Sequence, residues 1–436
     1  MTMNLQDTPQ ETDLGVLRFL TCGSVDDGKS TLIGRLLYDT KTILDDTIAT
    51  LERNAKKKGL SAIDLSLLTD GLIAEREQGI TIDVAYRYFA TANRKFIIGD
   101  APGHEQYTRN MVTAASTADV AILLVDARKG ILPQTRRHAT IATLLGVNQL
   151  IVAVNKMDLV GYDKAVFDRI DTEFREWLAQ HPEASANVHS VPLSALEGAM
   201  VVNRGVPQED SDEDAQPLGW YQGPTLLELL ESAPSSQLKA DAAWRFPVQW
   251  VCRPSQSDFR GYAGRIEEGT IAVGDEIVVL PSGRRSKVTR IGLGEAELTE
   301  AFAGQSVMVS LADEIDISRG DMFVKASEAQ PEGRQQFSAT VSWLGHNALD
   351  PRRGYILRHT SREVKAKVAA VESKLDLVSL AWSPSDQPVA LNDIAKLSIK
   401  VQQPLIADAY AANRVTGSFI LVDEATNDTV AAGLIA

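Results

Sequence analysis

Cysteine is nearly absent: Cys22 and Cys252 are the only two in 436 residues. So distant a pair has no metal-ligand spacing and no redox motif, and it suits a reducing cytoplasm. Cys22 ends an apolar run and reads as a small buried core residue. Long hydrophobic runs are missing too, none approaching the roughly 20 residues a helix needs to span a bilayer. Residues 1–15 are polar and acidic, without the basic flank or apolar stretch of a signal peptide, and predict a flexible lead-in. Positive charge is also short, with 44 Lys+Arg against 58 Asp+Glu and a net charge of −14. The deficit lies mainly in residues 1–241, with 23 basic against 34 acidic side chains. That field disfavours wrapping nucleic acid there. The densest basic run, Arg352, Arg353, Arg358, Arg362, Lys365 and Lys367, reads either as a solvated strand face or as a partner-binding surface.

What is present exceeds one ordinary core, and the length predicts two or three domains. Up to about residue 235, short apolar runs at 16–22, 95–100, 120–126, 149–155 and 188–193 alternate with helical patterns at 30–38, 135–145 and 164–180. That alternation predicts an α/β domain with a mostly parallel sheet. Residues 199–224, with Pro207, an acidic run at 209–214 and Pro217, read as a loop before a short closing helix that Thr225 can cap. Beyond residue 241, segments of five to seven residues alternate around Gly and Pro, which predicts two smaller all-β barrel domains. The expected division is a lead-in over 1–15, the α/β domain over 16–240, and barrels over 241–328 and 335–436.

Four short motifs and one longer segment carry the chemistry. Gly23, Ser24, Val25, Asp26, Asp27, Gly28, Lys29 and Ser30 follow an apolar strand, open a helix with Thr31, and match the phosphate-loop pattern GxxxxGK[ST]. Glycines let backbone amides turn inward around phosphates, and the helix N-terminus adds partial positive charge. Lys29 should bridge the β- and γ-phosphates, and the Ser30 hydroxyl should bind Mg²⁺. Asp100, at the end of a second strand, supplies a carboxylate for the same ion. Gly103, lacking a side chain, can bring its amide to the γ-phosphate, and His104 stands where a residue could position the attacking water. Thr81, in the long segment between the first helix and the Asp100 strand, can reach Mg²⁺ and the γ-phosphate only while that phosphate is present.

Asn155, Lys156 and Asp158 name the base. Guanine offers an N1–H and a 2-amino group side by side, and one carboxylate accepts from both. Adenine would leave Asp158 desolvated and unpaired, a penalty that can discriminate by about 10⁴ or more. Asn155 would tie the base loop to the phosphate loop, and the Lys156 stem can cover the base. Ser194, Ala195 and Leu196, after the last strand, would add a backbone N–H to guanine O6. Lys29, Thr81, Gly103 and His104 form the expected catalytic set, and Ser30, Thr81 and Asp100 the metal ligands.

In this order and spacing the elements resemble the translation-factor class of P-loop GTPases. The stretch 261–279, with Gly269-Thr270-Ile271-Ala272-Val273-Gly274-Asp275, resembles that class's second-domain barrel, and 220–227 resembles the archaeal and eukaryotic factor delivering aminoacyl-tRNA. Those elongation factors typically carry His at the positions of Ser24 and Asp27. The loop as it stands here, with Leu36-Leu37-Tyr38-Asp39-Thr40-Lys41, the string from Asp100 to Met111, and Ala127-Arg128-Lys129-Gly130, is similar to the GTPase subunits of bacterial sulfate adenylyltransferase. The resemblance implies GTP hydrolysis coupled to making adenosine 5′-phosphosulfate from ATP and sulfate. It places adenylyl transfer on a separate catalytic subunit, in a heterodimer or larger assembly. Some members continue into an adenylylsulfate kinase domain, expected to be absent here because no second GxxxxGK occurs. An elongation factor carrying tRNA and a GTP-gated scaffold are the competing readings. Asp27 speaks for the sulfate reading, and His104 against the scaffold.

Overall fold

A computed structural model describes residues 15–43, 46, 48, 49, 53, 65–68, 84–102, 108–181, 186–206, 215–235, 241–253, 259–376, 379–384 and 387–436. The chain divides into two compact units, one ending at Ser235 and the other beginning at Ser236.

The first unit is built on β1 (Val16–Cys22), β2 (Ala85–Ala90), β3 (Lys95–Asp100), β4 (Val120–Asp126), β5 (Gln149–Asn155) and β6 (Asn187–Pro192). They lie in the order β2-β3-β1-β4-β5-β6, with only β2 antiparallel to its neighbour. The central strand β4, VAILLVD, is buried at every position, as a parallel strand covered on both faces must be. Helices of the described residues include α1 (Lys29–Asp39), α2 (Thr108–Ala115), α3 (Pro133–Leu144), α4 (Lys164–Ala179) and α5 (Leu226–Ser232). In α4 the spacing of Phe167, Ile170, Phe174 and Trp177 collects the buried side chains on one face. α5 closes the unit with a cap at each end. Thr225 and Glu228 form a reciprocal capping box. At the other end the Arg94 guanidinium donates to the carbonyls of Leu230, Glu231 and Ala233. Register brings Thr21 beside Asp100 and Asp126 beside Asn155. The expected site residues in the described region therefore converge at the carboxyl ends of parallel strands, where open α/β sheets bind ligands.

The second unit contains two closed barrels. The first uses β7 (Phe246–Cys252), β8 (Gly261–Arg265), β9 (Thr270–Ala272), β10 (Glu276–Leu280), β11 (Arg284–Leu293), β12 (Ala296–Leu298), β13 (Glu300–Phe302), β14 (Ser306–Leu311) and β15 (Met322–Lys325). Its ring runs β10-β15-β7-β8-β14-β11 and closes through β10–β11. The second uses β16 (Gly333–Trp343), β17 (Tyr355–His359), β18 (Arg362–Leu375), β19 (Trp382–Ser383), β20 (Ile394–Ile406), β21 (Ser418–Asp423) and β22 (Thr429–Ile435). Its ring runs β17-β21-β22-β16-β20-β18 and closes through β17–β18. Closure leaves no free strand edge in either ring. Trp244, Phe246, Tyr262 and Phe323 fill the first barrel, and Phe337, Trp343, Tyr355 and Phe419 the second.

A seam joins the barrels. Ile406 of the second packs with Val278, Leu280, Met322 and Val324 of the first. Beside them the Arg245 guanidinium donates Nε and Nη2 to the two oxygens of Asp408, both at 3.0 Å, with the pair largely shielded from water. Thr416 donates to the same carboxylate at 2.6 Å, and these donors hold Asp408 below the usual carboxylate range against the opposing effect of burial. The basic run at 352–367 proves to be laced with acids: Arg352 to Asp350, Arg353 to Asp423, Arg358 to Glu363, Arg362 to Asp321 and Lys365 to Glu424. Five of its six cations are thus paired with an acid. Among the described residues no helix is long and apolar enough to cross a membrane.

Candidate functional site

The loop from β1 into α1 is shaped by close approach as much as by backbone conformation. Gly28 is the N-cap of α1 in the left-handed region, φ 94°. A Cβ there would also stand 2.5 Å from Nδ2 of Asn155. No side chain caps α1 and no acidic residue occupies its first turn, so the leading amides keep their attraction for an anion. Within the loop Ser24 N–H donates to Asp27 Oδ2 at 2.6 Å. The other oxygen, Oδ1, is buried without a partner. Burial pushes the Asp27 carboxyl up to about 6, opposed by the Ser24 amide and the charge of Lys29. Lys29 is itself buried and donates Nζ to the Gly23 and Ser24 carbonyls, each at 3.1 Å. Burial pulls its pKa down, while Asp100 and Asp27 act to keep it charged. His138 of α3, pushed down to about 3 by burial and by Lys29, stays neutral beside the loop.

On the metal side, Asp100 is buried at the end of β3 and accepts a hydrogen bond from Thr21 Oγ1 at 3.0 Å. That bond orients one carboxylate oxygen. Ser30 stands in the first turn of α1. Thr81, Gly103 and His104 lie outside the described residues.

The base side is organised by one carboxamide. Asn155 Nδ2 donates to the Asp27 carbonyl at 2.8 Å. Its Oδ1 accepts from Lys156 N–H at 2.8 Å and from Ala195 N–H at 2.9 Å. Three loops, expected separately to hold phosphate, base edge and O6, are thus tied at one buried side chain. Ala195's amide is engaged in this tie. Ser194, wholly buried, accepts at its hydroxyl from Glu197 N–H at 3.2 Å, while the Leu196 side chain is exposed. Lys156 adopts φ 63°. Its ammonium donates to the Asp26 carbonyl and, at 3.1 Å, to Asp126. Asp158 keeps one oxygen, Oδ1, buried and without a partner. A buried acceptor without a partner costs free energy.

Three supports were not foreseen from the sequence. Asp126 ends β4 and is gripped by Arg128. Arg35 of α1 donates to the carbonyls of Ala195 and Leu196, pinning that loop from below. Trp220 donates Nε1 to the Tyr162 carbonyl at 2.9 Å, and Tyr162's hydroxyl reaches Glu197. Arg128, within the string 127–130, and Trp220, within 220–227, lay in stretches that carried the resemblance, though neither contact did. The others meet across intervals too long for any spacing rule.

Comparison with known proteins agrees with the geometry. Residues 15–235 match the elongation factor Tu GTP binding domain family, 262–324 elongation factor Tu domain 2, and 336–436 the GTP-eEF1A C-terminal domain-like family. Sulfate adenylyltransferase subunit 1 of Aeromonas hydrophila is 50% identical over 96% of this chain and 86% of its own length. The same subunit of Chromobacterium violaceum is 49% identical over 99% of this chain and 88% of its own. The bifunctional enzyme CysN/CysC of Mycobacterium tuberculosis is 50% identical over 96% of this chain and 67% of its own. Among solved structures, sup35 complexed with GMPPNP aligns over 98% of this chain and 95% of its own, at 23% identity and a TM-score of 0.43. With a GTP-binding fold of the elongation factor Tu type and relatives near half identical along almost its whole length, this chain belongs to the sulfate adenylyltransferase subunit 1 family.

Proposed function

We propose that the chain binds and hydrolyses GTP, and that hydrolysis drives formation of adenosine 5′-phosphosulfate from ATP and sulfate on a separate catalytic subunit. The observation that carries the GTP half is the unpartnered Asp158 Oδ1, held in a base loop that Asn155 ties to the phosphate loop. The sulfate half is carried by the relatives named for sulfate adenylyltransferase, none of the three a translation factor.

In this reading the uncapped amides of α1 and the Lys29 ammonium receive the phosphates, and Asp158 accepts from guanine. Gly103 turns its amide to the γ-phosphate, and His104 orients the attacking water or supports charge as the bond to the leaving phosphate lengthens. Magnesium, held by Ser30, Asp100 and Thr81, would offset negative charge on the phosphate oxygens. In this reading Thr81 and Gly103 meet the γ-phosphate only while it is present. They can therefore report its loss to the catalytic subunit as a change in which conformation is favoured.

The test mixes this chain with a catalytic subunit and follows pyrophosphate and GDP together while sulfate is added or withheld. Pyrophosphate release should rise with GTP and fall with GDP or with Lys29→Ala, and sulfate with ATP should raise GTP turnover. If neither rate responds to the other nucleotide, and charged tRNA binds the GTP form tightly, the elongation-factor reading replaces this one.

A further inference from the structure

The turn after β4 gives Arg128 a place that the phosphate and base loops do not by themselves explain. Its guanidinium meets Asp126 as a fork, Nε to Oδ1 at 3.0 Å and Nη2 to Oδ2 at 2.6 Å. Its own amide adds a third bond to Oδ1 at 3.0 Å. The Asp126 side chain is wholly buried, whereas that of Arg128 is 47% exposed. A carboxylate held by three donors cannot turn about its axis, and its Oδ2 is left facing one further donor. That donor is Lys156 Nζ, at 3.1 Å. The same ammonium reaches the Asp26 carbonyl in the phosphate loop. Lys156 stands between Asn155, which ties the loops, and Asp158, whose buried Oδ1 has no partner. Where its head is anchored therefore decides where its aliphatic stem runs relative to the base.

We propose that Arg128, acting through Asp126, is a positioning residue for the guanine nucleotide: it fixes the carboxylate that draws Lys156 across the base site to the phosphate loop, and so sets how slowly the nucleotide leaves. The inference rests on the guanine-nucleotide reading above and deepens it. Lysine at position 128 would keep the charge but not the planar fork.

The experiment loads the full chain with N-methylanthraniloyl-GDP, chases with unlabelled GDP and records the dissociation rate alongside thermal unfolding. Arg128→Ala should release the nucleotide about tenfold faster, equivalent to ~1.4 kcal/mol. Arg128→Lys should recover only part of that. Lys156→Ala should release at least as fast as Arg128→Ala, and the double variant little faster than Lys156→Ala alone, because the effect of Arg128 passes through that ammonium. A merely structural arginine would give independent, multiplying effects, and that result overturns the proposal, as does an unchanged rate in Arg128→Ala. Should Arg128→Ala fail to fold, Arg128→Gln replaces it, with faster release supporting the proposal and an unchanged rate overturning it. If the unmutated chain binds no labelled GDP, the guanine reading itself falls, an outcome distinct from a normal affinity that Arg128 does not alter.

Discussion

Asp158 and Asp27 each keep one buried carboxylate oxygen without a partner, and they answer to different perturbations. For Asp158 the missing partner is a ligand donor. Asp158→Asn exchanges a double acceptor for one acceptor and one donor, so GTP should bind at least 10²-fold more weakly. Xanthosine triphosphate, with an oxygen in place of the 2-amino group, should bind more tightly than to the unmutated chain. Titrations with both nucleotides decide it, and unchanged GTP affinity would remove Asp158 from the base site. For Asp27 the consequence is a pH dependence. Its carboxyl titrates near 6 in the folded chain against 3.8 for an ordinary aspartate. The folded chain therefore holds this proton more tightly than the unfolded one, and stability contributed here falls as pH rises between those values. Asp27→Asn removes the titration. Between pH 4 and 7 the nucleotide-free unmutated chain should lose about 2 kcal/mol relative to the variant, read from urea unfolding at each pH. A difference that stays flat over that window would mean that Asp27 is not raised.

Among the elements, α5 depends most plainly on its ends. It has only seven residues, too few to be stable by propensity. Thr225→Ala removes half of the capping box and should cost about 1 kcal/mol, measured as a lower urea midpoint at unchanged slope. No change would mean that packing of Leu226, Leu229 and Leu230 alone holds the helix. This cap was legible from sequence, as were the ends of β1, β3, β4 and β5, because strands buried on both faces are continuous apolar runs stopped by polar residues. Other boundaries yielded to rules that the apolar pattern does not express. α3 begins at Pro133, two residues before its periodicity, since a proline in the first turn loses no bond. β6 ends at Pro192 although Leu193 N–H still donates to Val154. β18 runs 14 residues, but its pairing with β20 shifts register between Val368 and Ala370 and again between Val371 and Ser373. Each bulge inverts the inward–outward alternation by which a strand is recognised. The site was legible in its motifs and opaque in its supports. Asn155 could be read as a loop tie because a neighbouring motif explains it. Arg35 meets Ala195 from 160 residues away, a contact that only the fold creates.

For the molecule as a whole, the sequence divides the β-rich region into two barrels, while the physical chemistry of the seam joins them. Arg245 and Asp408 are shielded from water by each other's barrel. Truncating Arg245 strands a buried carboxylate, a loss of about 3–5 kcal/mol. In the unmutated chain the two barrels should unfold in one calorimetric transition. Arg245→Ala should lower it and separate the melting of the barrels, whereas two transitions in the unmutated chain would show the seam to be weak. The seam also bears on how such a protein can be divided and recombined. A cut near residue 330 falls between two rings that each close on themselves, yet it would leave one fragment with an arginine and the other with an aspartate that have lost their ion-pair partners and their cover. Neither ring is a portable module. Exchanges between relatives would succeed when both barrels travel together, and a barrel borrowed singly would need a matching charge at the seam from its new host.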